Sequence, residues 1–184
     1  QRLVPVGGAL GQLELTAGLR HFHDDIDQHG RGAPSAPLIE ASSTAKANTP
    51  RLLANWHVSD TLMTYVSYAE GFRSGFPQDP PVLDAFADFP AVKPDRLKNY
   101  EVGAKGSLFD GALAFGAAAY HIDWKEIQLN LSVLMNNVPY PAVVNGANAS
   151  GNGVDLELTL ALGGLRLSPF VSWNDLSMSE NIVS

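Results

Sequence analysis

The alternation of very short and very long connections constrains this chain more than any other feature. Segments of alternating apolar and polar residues are joined by two-residue turns at Ser59-Asp60, Asp110-Gly111 and Gly163-Gly164. The hairpins are separated by long loops, 24–49, 71–97 and 124–147, each of roughly 25 residues. An antiparallel meander that repeatedly crosses a layer about 25 Å thick has this rhythm. A soluble sandwich would mix short and long connections at both ends.

Seven segments show the period-2 alternation of strands with two different faces. Ten residues at about 3.4 Å each, tilted by about 45°, rise roughly 24 Å, the height of the apolar band of a membrane barrel. The predicted fold is therefore all-β: an antiparallel up-and-down meander of about seven strands. These strands are Leu13–His23, Arg51–Val58, Thr61–Glu70, Tyr100–Phe109, Ala112–Asp123, Gly153–Leu162 and Leu165–Asp175.

Counting outward from each turn predicts which residues face each other. The Asp-Gly turn is the strongest of the three signals, because a tight hairpin turn needs positive φ at both central residues. Pro169 lies inside the last strand and cannot donate to the ladder, so we expect a bulge or kink there. The predicted pairs are Trp56–Met63 and Ala54–Tyr65 in the first hairpin, and Lys105–Gly116 and Gly106–Phe115 in the second.

Composition excludes several classes of protein. The chain has 184 residues, no cysteine and a net charge of −7, so neither disulfides, nor thiolate metal sites, nor nucleic-acid binding are expected. No apolar run approaches the 18 or more residues of a membrane helix, whereas barrel strands need only about 10. We expect one domain over residues 1–184. Because the chain begins at Gln1, close to a strand, we expect a fragment of a longer mature protein.

Several stretches resemble the TonB-dependent outer-membrane receptors. Tyr65–Gly75 resembles that family's tyrosine-rich strand and GFR corner, and Lys93–Lys105 is similar to its "kPE…nyElGxK" stretch. After a short turn comes an Ala-rich strand that ends in Ala119–Gln128, as in the family. Asn145–Leu158 is similar to the "naGxaxxxGvElel" element, and Leu13–His23 to the upstream "GlRy" strand. The stretches follow the family's order and spacing over most of the chain.

The resemblance implies part of a 22-stranded transmembrane β-barrel, closed in the whole protein by an N-terminal plug. It implies ligand-gated active uptake of iron–siderophore or another scarce nutrient across the outer membrane of a Gram-negative bacterium. No stretch of this chain resembles the family's plug or its TonB-contacting box, so TonB would act only through the missing plug. The lipid bilayer is the expected partner of the apolar face. Exposed sheet edges would also allow self-association of the isolated fragment.

Two small groups of residues are candidate sites, each with a structural alternative. Phe72 and Arg73 begin a long loop, where they would contact an anionic ligand or simply form a structural corner. His21, His23 and Asp24 would form a transition-metal site or simply a polar strand end. No cofactor is expected.

The acidic residues of the last strands raise the question of catalysis. Asp155 and Glu157 share a face with Glu101 and Lys105, and the simpler interpretation of a carboxylate pair there is the lining of a wet channel. No Ser-His-Asp order, phosphate-binding glycine loop or HExxH motif is present, so we expect no enzyme and no catalytic residue. The alternative function is a soluble β-sheet ligand-binding module of carbohydrate-binding type, with the long loops as its site.

Overall fold

The structure, a computed structural model, describes residues 2–5, 11–135 and 137–179, and forms one antiparallel sheet. Each crossing of the sheet pairs with the crossing next to it in sequence, so the topology is a meander, and the predicted all-β class is confirmed. One short helix, α1 (Pro80–Ala85), lies between the fourth and fifth strands. The strands are β1 (Arg2–Pro5), β2 (Gln12–Gly30), β3 (Ile39–Ser59), β4 (Leu62–Arg73), β5 (Asp95–Leu108), β6 (Leu113–Met135), β7 (Val138–Leu162), β8 (Leu165–Leu167) and β9 (Phe170–Met178).

Strands β8 and β9 are two parts of one crossing, interrupted at Ser168-Pro169. Both pair with β7 in a single, unshifted register, and the amide of Leu158 still donates to the carbonyl of Pro169 at 3.0 Å. Pro169 therefore interrupts the strand, but no residue is inserted, so of the predicted bulge or kink the bulge is absent. With β1 included, the described residues cross the sheet eight times, one more than predicted.

The register of the second hairpin is as predicted, and that of the first is not. Strand β3 ends at Ser59 and β4 begins at Leu62, so the turn is Asp60-Thr61, with a register shift between His57 and Ser59. This one-residue shift moves Tyr65 to the opposite face of the sheet. The predicted pairs Trp56–Met63 and Ala54–Tyr65 are wrong; the structure has Trp56–Thr64 and Ala54–Val66, alongside the confirmed Lys105–Gly116 and Gly106–Phe115.

Two of the three segments expected as long loops are mostly strand. In 24–49, β2 continues to Gly30 and β3 begins at Ile39; in 124–147, only two residues separate β6 from β7. Ladder bonds join backbone groups whatever the side chains are, and in the far part of β2 polar side chains on both faces hide the strand from a search for period-2 alternation. The segment 71–97 does contain a long connection, 74–94, which carries α1 and a bridge between Phe76 and Val92.

The two faces of the sheet differ in chemistry along entire rows of paired residues. One row, on what we call the outer face, is apolar in every strand and none of its side chains is buried: Leu15, Ala54, Val66, Val102, Ala119, Val154 and Trp173. Shifting each strand by one residue gives a row on the inner face: Glu14, Asn55, Tyr65, Gly103, Ala118, Asp155 and Ser172. The sheet is thus apolar on the outside and largely polar on the inside.

Buried apolar residues lie mainly at the end of the sheet that carries the long connection. Val82 of α1 packs against Ala142 of β7, with Phe89 and Val133 around them. A second cluster joins Ile127 to residues of β7. The connection 74–94 therefore folds onto the far ends of β6 and β7, and it positions the polar groups described next.

Candidate ligand-facing site

Arg73, at the end of β4, is tied to Asp95, at the start of β5. The Nε of Arg73 donates to Oδ2 of Asp95 at 2.7 Å, a guanidinium Nη donates to the same oxygen, and the backbone amide of Arg73 donates to Oδ1 at 3.1 Å. The guanidinium also lies 5.2 Å from the ring centroid of Trp124. The neighbouring predicted candidate, Phe72, instead packs edge to face on Phe22, with ring centroids 4.8 Å apart.

The two side chains of this pair differ strongly in solvent exposure. The side chain of Asp95 is 2% exposed, whereas that of Arg73 is 50% exposed. Burial alone would raise the pKa of Asp95, but the hydrogen bonds and the charge of Arg73 outweigh it, and the pKa is lowered from its ordinary value. The buried carboxylate thus fixes the position of Arg73, while half of the arginine side chain remains exposed to solvent.

Gln128 of β6 extends this network to the long connection. Its backbone carbonyl accepts from Arg73 at 3.4 Å, and its side-chain amide donates to the carbonyls of Ser74 at 2.8 Å and Lys93 at 3.0 Å. Asn145 of β7 holds Lys93 from the other side, accepting from its amide at 2.7 Å and donating to its carbonyl at 2.8 Å. Both ends of the connection 74–94 are therefore fixed by side-chain amides.

Gln78 fixes the middle of the same connection. It is one of two buried polar or charged residues among those described, and 3% of its surface is exposed. Its amide nitrogen donates to the carbonyls of Val143 at 2.6 Å and Pro90 at 3.0 Å, and its oxygen accepts from the amide of Val143 at 3.3 Å. One side chain thus satisfies both backbone groups of a β7 residue, in the way that a neighbouring strand would.

A small cavity of about 170 Å³ lies beside these amides. Its wall combines apolar groups with one cation and one carboxylate. Its volume has room for a small polar group rather than a whole nutrient. The lining residues are Phe89, Pro90, Ala91, Lys93, Glu126, Val143, Val144 and Asn145.

The predicted metal candidates are not brought together as a set. His21 Nδ1 lies 2.8 Å from Oδ1 of Asn48, while His23 Nε2 lies 3.0 Å from Oδ2 of Asp25. Asp24 alternates with these residues along β2 and belongs to the opposite face. The pKa of Asp25 is lowered, first by the hydrogen bond from Thr44 and then by that from His23. In the part of the chain that the structure describes, no group of three or more potential metal ligands occurs.

Carboxylates also line the inner face nearer the short turns. The hydroxyl of Tyr65 donates to Glu101 at 2.5 Å, and Asn99 donates to the same carboxylate at 3.3 Å. Asp155 accepts from the hydroxyl of Ser172 at 2.6 Å. These carboxylates accept hydrogen bonds from neutral donors, and neither forms an ion pair within the described residues.

Glu157 and Lys105, the other residues predicted on this face, flank Gly116. Each is paired directly with that glycine, from opposite sides of β6. A cavity of about 270 Å³ opens between them, because glycine has no side chain to fill the space.

A meander sheet with an apolar outer face, a polar inner face and a folded-in connection at one end is the wall of a β-barrel. The family model described as "TonB dependent receptor-like, beta-barrel" matches residues 7–182, and the chain belongs to this family. No curated protein sequence matches it. Within the described residues, no helix is long and apolar enough to cross a membrane.

Solved receptor structures share the fold. The siderophore receptor PiuA from Acinetobacter baumannii is 17% identical, with a TM-score of 0.70 over 95% of this chain and 24% of its own. The ferric yersiniabactin uptake receptor FyuA from Yersinia pestis is also 17% identical, with a TM-score of 0.64 over 90% of this chain and 24% of its own. This chain therefore spans about a quarter of the length of these structures.

Proposed function

We propose that this chain is a section of the barrel wall of an outer-membrane receptor that takes up a scarce nutrient, of the iron–siderophore class, in a Gram-negative bacterium. In the whole protein, an N-terminal plug and TonB would supply gating and energy. The observation that carries the proposal is the continuous apolar row of the outer face, from Leu15 on β2 to Trp173 on β9. Family membership and the fold shared with siderophore receptors support it.

The outer face fits contact with lipid better than contact with water. Twenty-four large hydrophobic residues of the described chain are exposed, and the apolar row has no layer of secondary structure packed over it. Removing apolar surface from water stabilises a protein by about 25 cal/mol per Å². The outer face is therefore more stable against the hydrocarbon of a bilayer than in water. This observation argues against the soluble carbohydrate-binding module, which would need the same face for its own core.

The orientation follows from the connections. The turns 60–61 and 163–164 leave little chain outside the bilayer, so in our proposal they face the periplasm. The far parts of β2, β3, β6 and β7 then extend beyond the apolar band on the outside, together with the connection 74–94. The half-exposed guanidinium of Arg73 lies at this outer end, where a carboxylate-bearing or catecholate-bearing siderophore would enter.

The test uses the full-length receptor. Outer membranes are separated by density from cells that express it, and import of radiolabelled iron is measured with a panel of siderophore classes, with and without an intact TonB system. We expect outer-membrane localisation and TonB-dependent uptake of at least one ligand. Recovery of the protein in the soluble fraction would contradict the proposal, as would uptake of a different nutrient class alone for its siderophore part.

A further inference from the structure

A row of rings closes the apolar band of the outer face at its outer end. Tyr68, Tyr100 and His121 are directly paired across β4, β5 and β6. The two tyrosine rings have centroids 5.0 Å apart, and His121 lies 6.3 Å from Tyr100. Aromatic rings of this kind sit at the level of lipid headgroups.

Two cationic side chains lie beyond this row of rings. Arg96 on β5 and Lys125 on β6 are directly paired, and both are exposed. Over residues 2–5, 11–135 and 137–179, neither forms an ion pair. Like charges directly opposite each other destabilise a sheet. An anion between the two side chains would remove that cost.

Nearby acidic groups do not supply the anion. Glu70 accepts a hydrogen bond from the hydroxyl of Tyr68, and Asp123 lies 3.6 Å from Nε2 of His121. In the strand register both acids lie directly opposite Lys98, on either side of β5. Lys98 is two residues from Arg96 along β5, so neither acid lies directly opposite Arg96. The pair Arg96–Lys125 is therefore the net-positive end of this outer surface.

We propose that Arg96 and Lys125 bind a phosphate of a phosphorylated glycolipid in the outer leaflet. This inference rests on the proposed function, because it needs the outer face in a bilayer. Arg96 lies four residues beyond Tyr100, which is roughly 10 Å along the barrel axis for a strand tilted by about 45°. That height corresponds to the outer margin of the headgroup layer. A guanidinium and an ammonium side by side would donate charge-assisted hydrogen bonds to phosphate oxygens.

The test compares lipid binding by the full-length receptor and by the double variant Arg96→Gln/Lys125→Gln. The purified proteins are reconstituted in phosphatidylcholine nanodiscs that contain either diphosphorylated lipid A or its dephosphorylated form, and bound lipid A is measured by native mass spectrometry. The control is Lys105→Gln, which removes one cation from the inner face. Each Lys or Arg near an anionic surface contributes roughly fivefold, so we expect the double variant to lose roughly 25-fold in apparent affinity.

Preference of the wild type for the phosphorylated lipid, lost in the double variant and kept in the control, supports the site. Equal binding of both lipid forms, or an unchanged double variant, overturns it. Inorganic phosphate that binds as tightly as the lipid overturns the lipid assignment. If the double variant does not insert, Lys125→Gln alone, with an expected fivefold loss, is measured instead. A receptor that transports from the outer membrane without this preference refutes only this inference.

Discussion

Arg73 donates hydrogen bonds from its guanidinium and its backbone amide to the carboxylate of Asp95, which is almost fully buried where β4 and β5 separate. Replacing Arg73 with methionine would leave that carboxylate buried without its charged partner, at a cost of about 2 kcal/mol. We expect the amides of Phe76 and Val92, which bond to each other's carbonyls, to exchange hydrogen roughly thirtyfold faster in the full-length receptor. The control, Arg96→Met, removes an arginine one residue from Asp95 that forms no ion pair within the described residues, and it should leave this exchange unchanged. Equal acceleration in both variants would contradict the anchoring role.

The same pair predicts how the outer end responds to acid. The pKa of Asp95 is lowered in the folded protein, so its contribution to stability is present above the unfolded-state value of about 3.9 and is lost as the pH falls through the lower folded value. Hydrogen exchange of 76–92, corrected for intrinsic rates, should therefore show destabilisation below about pH 4. In Asp95→Asn this acid-dependent part should disappear. An unchanged acid response in that variant would show that other groups cause it.

Tyr120 and Gly153 provide a test of packing on the inner face. They are directly paired on β6 and β7, and a side chain at position 153 would meet the tyrosine ring. Gly153→Val should therefore force Tyr120 away and destabilise the barrel by about 1–3 kcal/mol. Gly18→Val is the matched control, since nothing lies within 4 Å of a Cβ at that position. The check is the urea midpoint of the full-length receptor; equal shifts for both glycines would contradict the packing.

The alternation of faces along β4 predicts that the same charge destabilises the protein far more at one position than at the next. Val66→Lys places an ammonium on the apolar row and should cost about 2–4 kcal/mol if that row lies near the bilayer midplane. Ser67→Lys places the same charge on the polar inner face and should cost much less. Reversible folding of the full-length receptor into vesicles measures both. Comparable losses would count against a lipid-facing Val66.

Strand pairing is predictable from the sequence where a local turn determines it. The Asp-Gly turn placed Lys105 opposite Gly116 correctly, because its backbone geometry leaves one register. Around Ser59 the turn has no such signature, and the register shift between His57 and Ser59 displaced the predicted pairs by one residue. The far parts of β2 and β7 were missed as strands because their side chains lack the apolar alternation on which the prediction depended.

The candidate site was only partly accessible from sequence. The resemblance to the family's GFR corner indicates Arg73, but its partners Asp95 and Gln128 are 22 and 55 residues away, and no spacing rule connects them. Gln78 is 65 residues from Val143, and it lies in a connection whose fold depends on tertiary contacts. Local pattern therefore predicted the barrel wall, while the network that holds the connection 74–94 required the structure.

Site-by-site accessibility along β4 tests most directly whether the outer face contacts lipid. The chain has no cysteine, so single cysteines at positions 64–69 carry spin labels unambiguously within it. Collisions with oxygen and with a water-soluble nickel chelate are then measured for the full-length receptor in bilayers. Labels at Thr64, Val66 and Tyr68 should collide preferentially with oxygen, and those at Tyr65, Ser67 and Ala69 should not. Loss of this two-residue period, or its reversal, would contradict the account.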